Sequence, residues 1–220
     1  LGSHITKELL VCGANVVGLD IKTKRKETIF TSDDYKLIKV VKASVADSNI
    51  MRSLLKKYKI EIVFHLAAEA IVGSCLEDPV NAFTTNTAGT WVLLDNCRKS
   101  RFVKSIVIAS SDKAYGSSKD LPYTESTPLC GEHPYDVSKS CADLISRAYF
   151  KTYGMPIAVT RCGNIYGPGD FNFSRLIPDT VRCMLSGKQM LIRSDGKFTR
   201  DYIYVNDIVY GYMLLAANLL

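Results

Sequence analysis

Apolar positions along the chain follow two alternating periods. Ile5, Leu9 and Leu10 fall at helical spacing and stop at Cys12-Gly13, and the run Val16-Val17-Gly18-Leu19-Asp20 then reads as a short strand ending on an acid. Leu37-Ile38-Lys39-Val40-Val41 is the next strand pattern, and Asp47-Ser48 caps a helix over 49–58 whose Ile50, Leu54 and Leu55 face inward. A buried strand over 60–68 ends in small residues, and Asp78-Pro79 opens a long helix through Asn86, Trp91, Leu94 and Cys97. The apolar run 102–109 is a further strand. A helix with Pro134 in its first turn runs to a glycine stop at Gly154, and 155–160 is the strand after it.

Helical and strand patterns thus alternate from Gly2 to Arg161. That alternation predicts an α/β fold with a doubly wound parallel sheet and ligand crevices at the carboxyl ends of its strands. The glycine-rich stretch 163–169 changes the composition and marks the exit to a second region. There a helix ends at Ser186-Gly187, Leu191-Ile192-Arg193 is a short strand, and Asn206 caps a last helix over 207–219. The expected units are 1–162 and a partial second domain, 163–220.

The chemistry concentrates where the run 102–109 delivers Ser110-Ser111-Asp112-Lys113 to a strand end. With Pro134 in the first helical turn, Tyr135 and Lys139 stand at i and i+4 on one helix face. The ammonium of Lys139 would favour the phenolate of Tyr135, whose reference pKa of about 10 is too high for a base at neutral pH. Ser111 is placed to hydrogen-bond a hydroxyl undergoing oxidation, and Asp112 and Lys113 add an acid/base pair. A Tyr-x-x-x-Lys pair alone is weak evidence, since helices carry such pairs by chance as a solvated lysine beside a half-buried aromatic; its place after a strand ending in Ser-Ser-Asp-Lys gives it weight.

Charge and cysteine content exclude several classes. The 220 residues are 47% hydrophobic with a net charge of +6, and no basic run is interleaved with aromatics, so a nucleic-acid partner is not expected. The densest basic cluster, 22–26, reads as a solvated loop or as a contact to an anionic ligand. Seven scattered cysteines lack the paired short spacings of a zinc site and read as reduced thiols in a cytoplasmic protein, with no metal expected. No apolar run reaches the roughly 18 residues of a membrane span. His65 reads as a core histidine, Glu69 and Ser74 as residues facing a substrate, and Asn86 as either a buried, hydrogen-bonded group or a polar residue on an exposed face.

Four segments together, Ser111-Asp112-Lys113-Ala114-Tyr115-Gly116, Tyr135-x-x-x-Lys139, 161–169 and 200–205, resemble the extended short-chain dehydrogenase/reductase family, and within it the nucleotide-sugar 4,6-dehydratases. The resemblance covers nearly the whole chain. It implies a Rossmann-type sheet binding NAD, with Gly2 as the last glycine of the dinucleotide turn and Asp20 accepting hydrogen bonds from the adenosine ribose. A carboxylate at Asp20 repels a 2′-phosphate and so favours NAD over NADP. It further implies cofactor contacts at Val45, Leu66, Ala67, Ala68, Asn86, Tyr135 and Lys139, and nucleotide-sugar contacts at Asn164, Arg193 and Arg200. Ser44 departs from the family pattern, which holds an Asp there.

The implied reaction is dehydration of a nucleoside-diphosphate hexose to its 4-keto-6-deoxy product with NAD regenerated, Asp112 serving as acid and Lys113 as base, its pKa lowered by burial and nearby positive charge. The Asp-Lys pair and 161–178 look closest to the CDP-glucose type. The alternatives are a 4-epimerase and a non-catalytic binding module. A helix-paired homodimer is expected from the family. Because Leu1-Gly2-Ser3-His4 enters a helical pattern without Met, and family elements are expected beyond 220, the chain reads as truncated at both ends, with weak activity by itself.

Overall fold

The computed structural model describes residues 1–22, 28–117, 121–192 and 194–220. In chain order the elements are α1 (Gly2–Val11), β1 (Val17–Asp20), α2 (Ser32–Leu37), β2 (Lys39–Lys42), α3 (Ser48–Lys57), β3 (Ile62–His65), α4 (Val72–Glu77), α5 (Pro79–Ala82), α6 (Gly89–Arg98), β4 (Ser105–Ala109), α7 (Pro134–Tyr153), β5 (Ile157–Thr160), β6 (Asn164–Tyr166), α8 (Leu176–Leu185), β7 (Tyr202–Tyr204) and α9 (Val205–Asn218). Every strand pair is parallel: β1 with β2, β3 with β4 with β5, and β6 with β7. Among the described residues these are three separate hydrogen-bonded sheets rather than one.

The winding on both faces is visible in β4. Ile106 and Ile108 join Met51, Leu55, Leu94 and Ile157 in one core, while Val107, pointing the other way, joins Ile5, Val205, Val209 and Tyr212 in a second. The period of two along the strand assigns alternate residues to opposite cores. Helices α3, α6 and α7 therefore cover one face, and α1 and α9 the other. Leu19 of β1 packs into the same core as Ile106, which holds the two larger sheets together without a shared ladder.

Several local expectations are met by the observed caps. Asp47 accepts from the amides of Asn49 and Ile50 at 3.0 Å and starts α3; Pro134 sits in the first turn of α7, which ends at Gly154 in the left-handed conformation. Others differ. The long helix expected from Asp78 is already preceded by α4, and its middle is a π-helical turn, Phe83–Ala88, between α5 and α6. Asn206 does not cap the last helix, which starts one residue earlier at Val205 with no side-chain cap. Leu191 and Ile192 are not in a strand, and Arg193, like residues 23–26 of the basic cluster, lies outside the described residues.

One helix of the region 163–220 packs on the first region. Helix α9 returns to the first region, where Ser105 Oγ donates to the Ala216 carbonyl at 3.0 Å and the Thr160 and Tyr212 hydroxyls meet at 2.5 Å.

Candidate active site

The site forms where β4 ends against the start of α7. After Ala109 the backbone turns through a short 3₁₀ segment, Asp112–Tyr115, which Ser111 caps by accepting from the Lys113 amide at 3.2 Å. Ser111 Oγ also donates to Asp112 Oδ1 at 2.9 Å, which places the carboxylate beside the hydroxyl. Gly116 closes the turn at φ 70°, and a Cβ there would stand 1.9 Å from the Cys130 carbonyl oxygen, so only glycine allows this approach.

Tyr135 and Lys139 rise from α7 toward this turn. Partial burial and the charge of Asp112 raise the Tyr135 phenol above its ordinary pKa, and the Ser111 hydroxyl and the charge of Arg175 act against that rise. Lys139 is buried, and desolvation lowers its ammonium to about 8. Lys139 Nζ donates to the Ala109 carbonyl at 2.8 Å and stands 6.0 Å from the Tyr135 ring centroid. One expectation is corrected at Lys113, whose expected burial is absent: its side chain is exposed, near the carboxyl of Asp136.

Asn86 resolves to its buried alternative. It is 2% exposed, carried inward by the π-helical turn, and its side chain accepts from the Glu69 amide at 2.8 Å and donates to the Glu69 carbonyl at 3.0 Å and to Ser138 Oγ at 2.9 Å. The loop after β3 is thereby held against α7. His65 is buried and paired with Thr90 Oγ1 at 3.0 Å; because that hydroxyl gives its proton to the Asn86 carbonyl at 2.6 Å, His65 Nε2 is the donor. Burial, with Lys139 nearby, lowers His65 to about 3, so it is neutral.

The residues read as cofactor contacts gather at strand ends. Gly2 opens α1, and a Cβ on it would meet Leu66 Cδ1 at 3.5 Å, so the helix start and the Leu66-Ala67-Ala68 segment after β3 are neighbours. Asp20 ends β1 and accepts from the Lys22 amide at 2.8 Å. Val45, beyond β2, is buried against Gly89, where a Cβ would lie 2.4 Å from Val45 Cγ1. A helix N-terminus, small residues and a carboxylate at the ends of parallel strands fit a dinucleotide. Among the described residues no group of three or more His, Cys, Asp or Glu side chains is placed to hold a metal ion, and no helix is long and apolar enough to cross a membrane.

Asn164 and Arg200 make local backbone contacts on the far side of the Asp112–Cys162 backbone bond. Asn164 Nδ2 donates to the Asp201 carbonyl at 3.3 Å, and Arg200 is exposed with Nη1 on the Thr199 carbonyl at 2.8 Å. Arg200 lines a cleft of about 340 Å³ together with Arg175, Ser174, Asp179 and Tyr202. Arg175 is the residue the sequence reading passed over: it reaches Asp170 at 3.3 Å, borders the cleft, and acts on Tyr135. Its only sequence signal was its place before an apolar helix. Arg161, noted only as part of a motif, instead makes a two-pronged pair with fully buried Asp143 at 2.7 and 3.0 Å and holds the Tyr115 hydroxyl and the Glu125 carbonyl, each at 3.0 Å.

Parallel strands wound on both faces, with Ser111, Tyr135 and Lys139 where β4 meets α7, define a Rossmann-type fold. The model of the NAD dependent epimerase/dehydratase family matches residues 1–219, and the chain belongs to that family. It is 32% identical over 185 residues to CDP-glucose 4,6-dehydratase of Salmonella typhimurium, covering 80% of this chain and 51% of the relative. Among solved structures it is similar to dTDP-glucose 4,6-dehydratase of Bacillus anthracis in complex with NAD, at 30% identity and TM-score 0.86, covering 98% of this chain and 67% of that one. UDP-glucose 4-epimerase of Thermotoga maritima with UDP-glucose is comparably similar, at 28% identity and TM-score 0.87 over 97% of this chain and 69% of that one. The chain spans about half the length of the curated relatives it matches.

Proposed function

We propose that the protein is a nucleotide-sugar 4,6-dehydratase that uses NAD to convert a nucleoside-diphosphate hexose to its 4-keto-6-deoxy product. The observation that carries this reading is the Asp112 carboxyl hydrogen-bonded at 2.9 Å to the hydroxyl of Ser111, beside Tyr135. Expelling the 6-hydroxyl needs an acid within reach of that leaving group, close to the residues that act at C4, whereas epimerisation at C4 expels nothing. CDP-glucose is the favoured substrate because Asp112-Lys113 and the segment 161–178 look closest to that type. The similarity to dTDP-glucose enzymes is of the same order.

Bound at the strand ends, NAD supplies a hydride acceptor for the first step and the hydride that is later returned. Gly2, Asp20, Val45, Leu66, Ala67, Ala68 and Asn86 would line its site, with Tyr135 and Lys139 at its reactive end. Ser111 orients the sugar 4-hydroxyl, and Tyr135 takes its proton. Ser111 and the charge of Arg175 oppose the rise that burial imposes on the phenol. The 4-ketone acidifies C5; Lys113 is the candidate base for that proton, and Asp112 protonates the departing 6-hydroxyl. Asn164 and Arg200 would bind the nucleotide sugar, the guanidinium offering paired donors to phosphate oxygens. We read the protein as a cytoplasmic homodimer.

The test is incubation of the full-length protein with NAD and, separately, CDP-glucose, dTDP-glucose and UDP-glucose. A 4-keto-6-deoxy product, seen by its absorbance in alkali, supports dehydration, and the faster substrate assigns the base. An inverted 4-hydroxyl without loss of water overturns it in favour of the 4-epimerase, the reading that the UDP-glucose 4-epimerase likeness favours. Cofactor bound but never cycled would leave a binding module.

A further inference from the structure

Ser138 stands one residue before Lys139, is fully buried, and has no part in the chemistry derived above. Its surroundings are nevertheless more specific than packing requires. Its hydroxyl donates to the main-chain carbonyl of Tyr135 at 2.7 Å and accepts from Asn86 Nδ2 at 2.9 Å, so both the proton and a lone pair are committed. The next residue of the π-helical turn, Thr87, donates from Oγ1 to the Ser138 carbonyl at 3.5 Å. One residue of α7 is therefore gripped at two atoms by two consecutive residues of another element.

The other side of Asn86 reaches the loop that would wall the cofactor. Its amide pairs with both the N–H and the carbonyl of Glu69, and the thiol of buried Cys75 lies 3.5 Å from the same carbonyl. Asn86 is fixed in turn by Thr90, which donates to its carbonyl at 2.6 Å and accepts from His65 at the end of β3. A continuous set of bonds thus runs from β3 and its loop, through Asn86 and Ser138, to the backbone of Tyr135.

We propose that Ser138 is a positioning residue for Tyr135: its hydroxyl ties the first turn of α7 to Asn86, and so fixes the phenol relative to Ser111 and the loop after β3. A helix turn held only by its own bonds can shift by a fraction of an ångström; one bonded laterally to a buried amide cannot do so without leaving one of that amide's N–H donors unpaired. Displacement of the phenol by about 1 Å is enough to reduce a rate by about 100-fold, because proton transfer needs its partners within hydrogen-bond reach. The inference rests on the dehydratase or epimerase reading for its kinetic consequence and on geometry alone for the placement of Tyr135.

The test compares Ser138→Ala, Ser138→Thr, Asn86→Ala and the double variant Asn86→Ala/Ser138→Ala in the full-length protein. With CDP-glucose or dTDP-glucose and NAD, Ser138→Ala is expected to lower kcat by about 10- to 100-fold with KM within about threefold, and Ser138→Thr, which keeps the hydroxyl, to retain most of the rate. The double variant should fall no further than Asn86→Ala, since one link is being cut twice. A kcat for Ser138→Ala within twofold of wild type, or losses that multiply in the double variant, overturns the proposal. A readout free of turnover is NMR of protein carrying ¹³Cζ-labelled tyrosine, with the Tyr135 signal identified by Tyr135→Phe. Displacement of that signal in Ser138→Ala and its return in Ser138→Thr support the positioning role; an unmoved signal overturns it. Should the wild-type protein act on no nucleotide sugar, the functional reading fails, while the NMR comparison still decides this one.

Discussion

Lys139 Nζ donates to the carbonyl of Ala109 at 2.8 Å, so the buried ammonium of α7 is bonded to the last residue of β4 and not to the phenol one turn before it. The lysine joins the helix to the strand that carries Ser111. It is charged at the cost of desolvation, and that cost has a measurable pH dependence.

Burial lowers Lys139 from 10.5 to about 8, so between those values the unfolded chain binds the extra proton and the folded one does not. Its destabilising contribution is complete below about pH 8 and is relieved as the pH rises to 10.5. Lys139→Met should lose turnover. Relative to the variant, the wild type should gain up to about 3 kcal/mol of stability between pH 7 and pH 10.5. Denaturant titrations across that range measure the difference. A gap that does not vary with pH would show that Lys139 is not desolvated as the geometry demands.

His65 gives the complementary effect in acid. Its imidazole is lowered from 6.5 to about 3 by burial and by Lys139, so the unfolded state takes up a proton first as the pH falls below 6.5. Stability is then lost progressively toward pH 3. His65→Gln keeps a donor for Thr90 without the titration, and should reduce the acid loss between pH 6.5 and pH 4 by about 3 kcal/mol. Equal acid sensitivity of both proteins in urea unfolding would refute the assignment.

Asp143 is fully buried and its two oxygens are both taken by Arg161, whose guanidinium is raised further by that pairing. Arg161→Met strands the carboxylate and should cost about 3–5 kcal/mol, whereas Arg161→Met/Asp143→Leu, which removes both charges, should recover much of it. Thermal and chemical denaturation of the two variants provide the comparison. The single variant should also loosen the Tyr115–Glu125 segment, since Arg161 holds both.

Arg175 borders the cleft that Arg200 lines and acts electrostatically on Tyr135. Under the proposed function, Arg175→Ala should raise KM for the nucleotide sugar by about 10- to 100-fold, the range of a lost charge-assisted hydrogen bond, and move the kcat profile to higher pH. Arg200→Ala should raise KM without moving the profile, because only Arg175 acts on the phenol. Steady-state kinetics across pH separate the two. An unshifted profile in Arg175→Ala would dissociate it from Tyr135.

The order of elements was legible because it depends on local periods. A continuous apolar run made β4, helical spacing made α7, and Asp47, Pro134 and Gly154 marked ends through local caps and turns. The nearness of Ser111 to Tyr135 also followed, since a strand end and the next helix start on the same edge of a parallel sheet. Only tertiary packing decided the rest. The π-helical turn that carries Asn86 inward, the exposure of Lys113, the choice of Ala109 as the partner of Lys139, and the pairing of Arg161 with Asp143 all join atoms from elements distant in sequence or set by what lies above them. A propensity read along one segment holds no information on which carbonyl, carboxylate or solvent a long side chain will meet, because that choice is made by whichever buried polar group would otherwise be left without a partner.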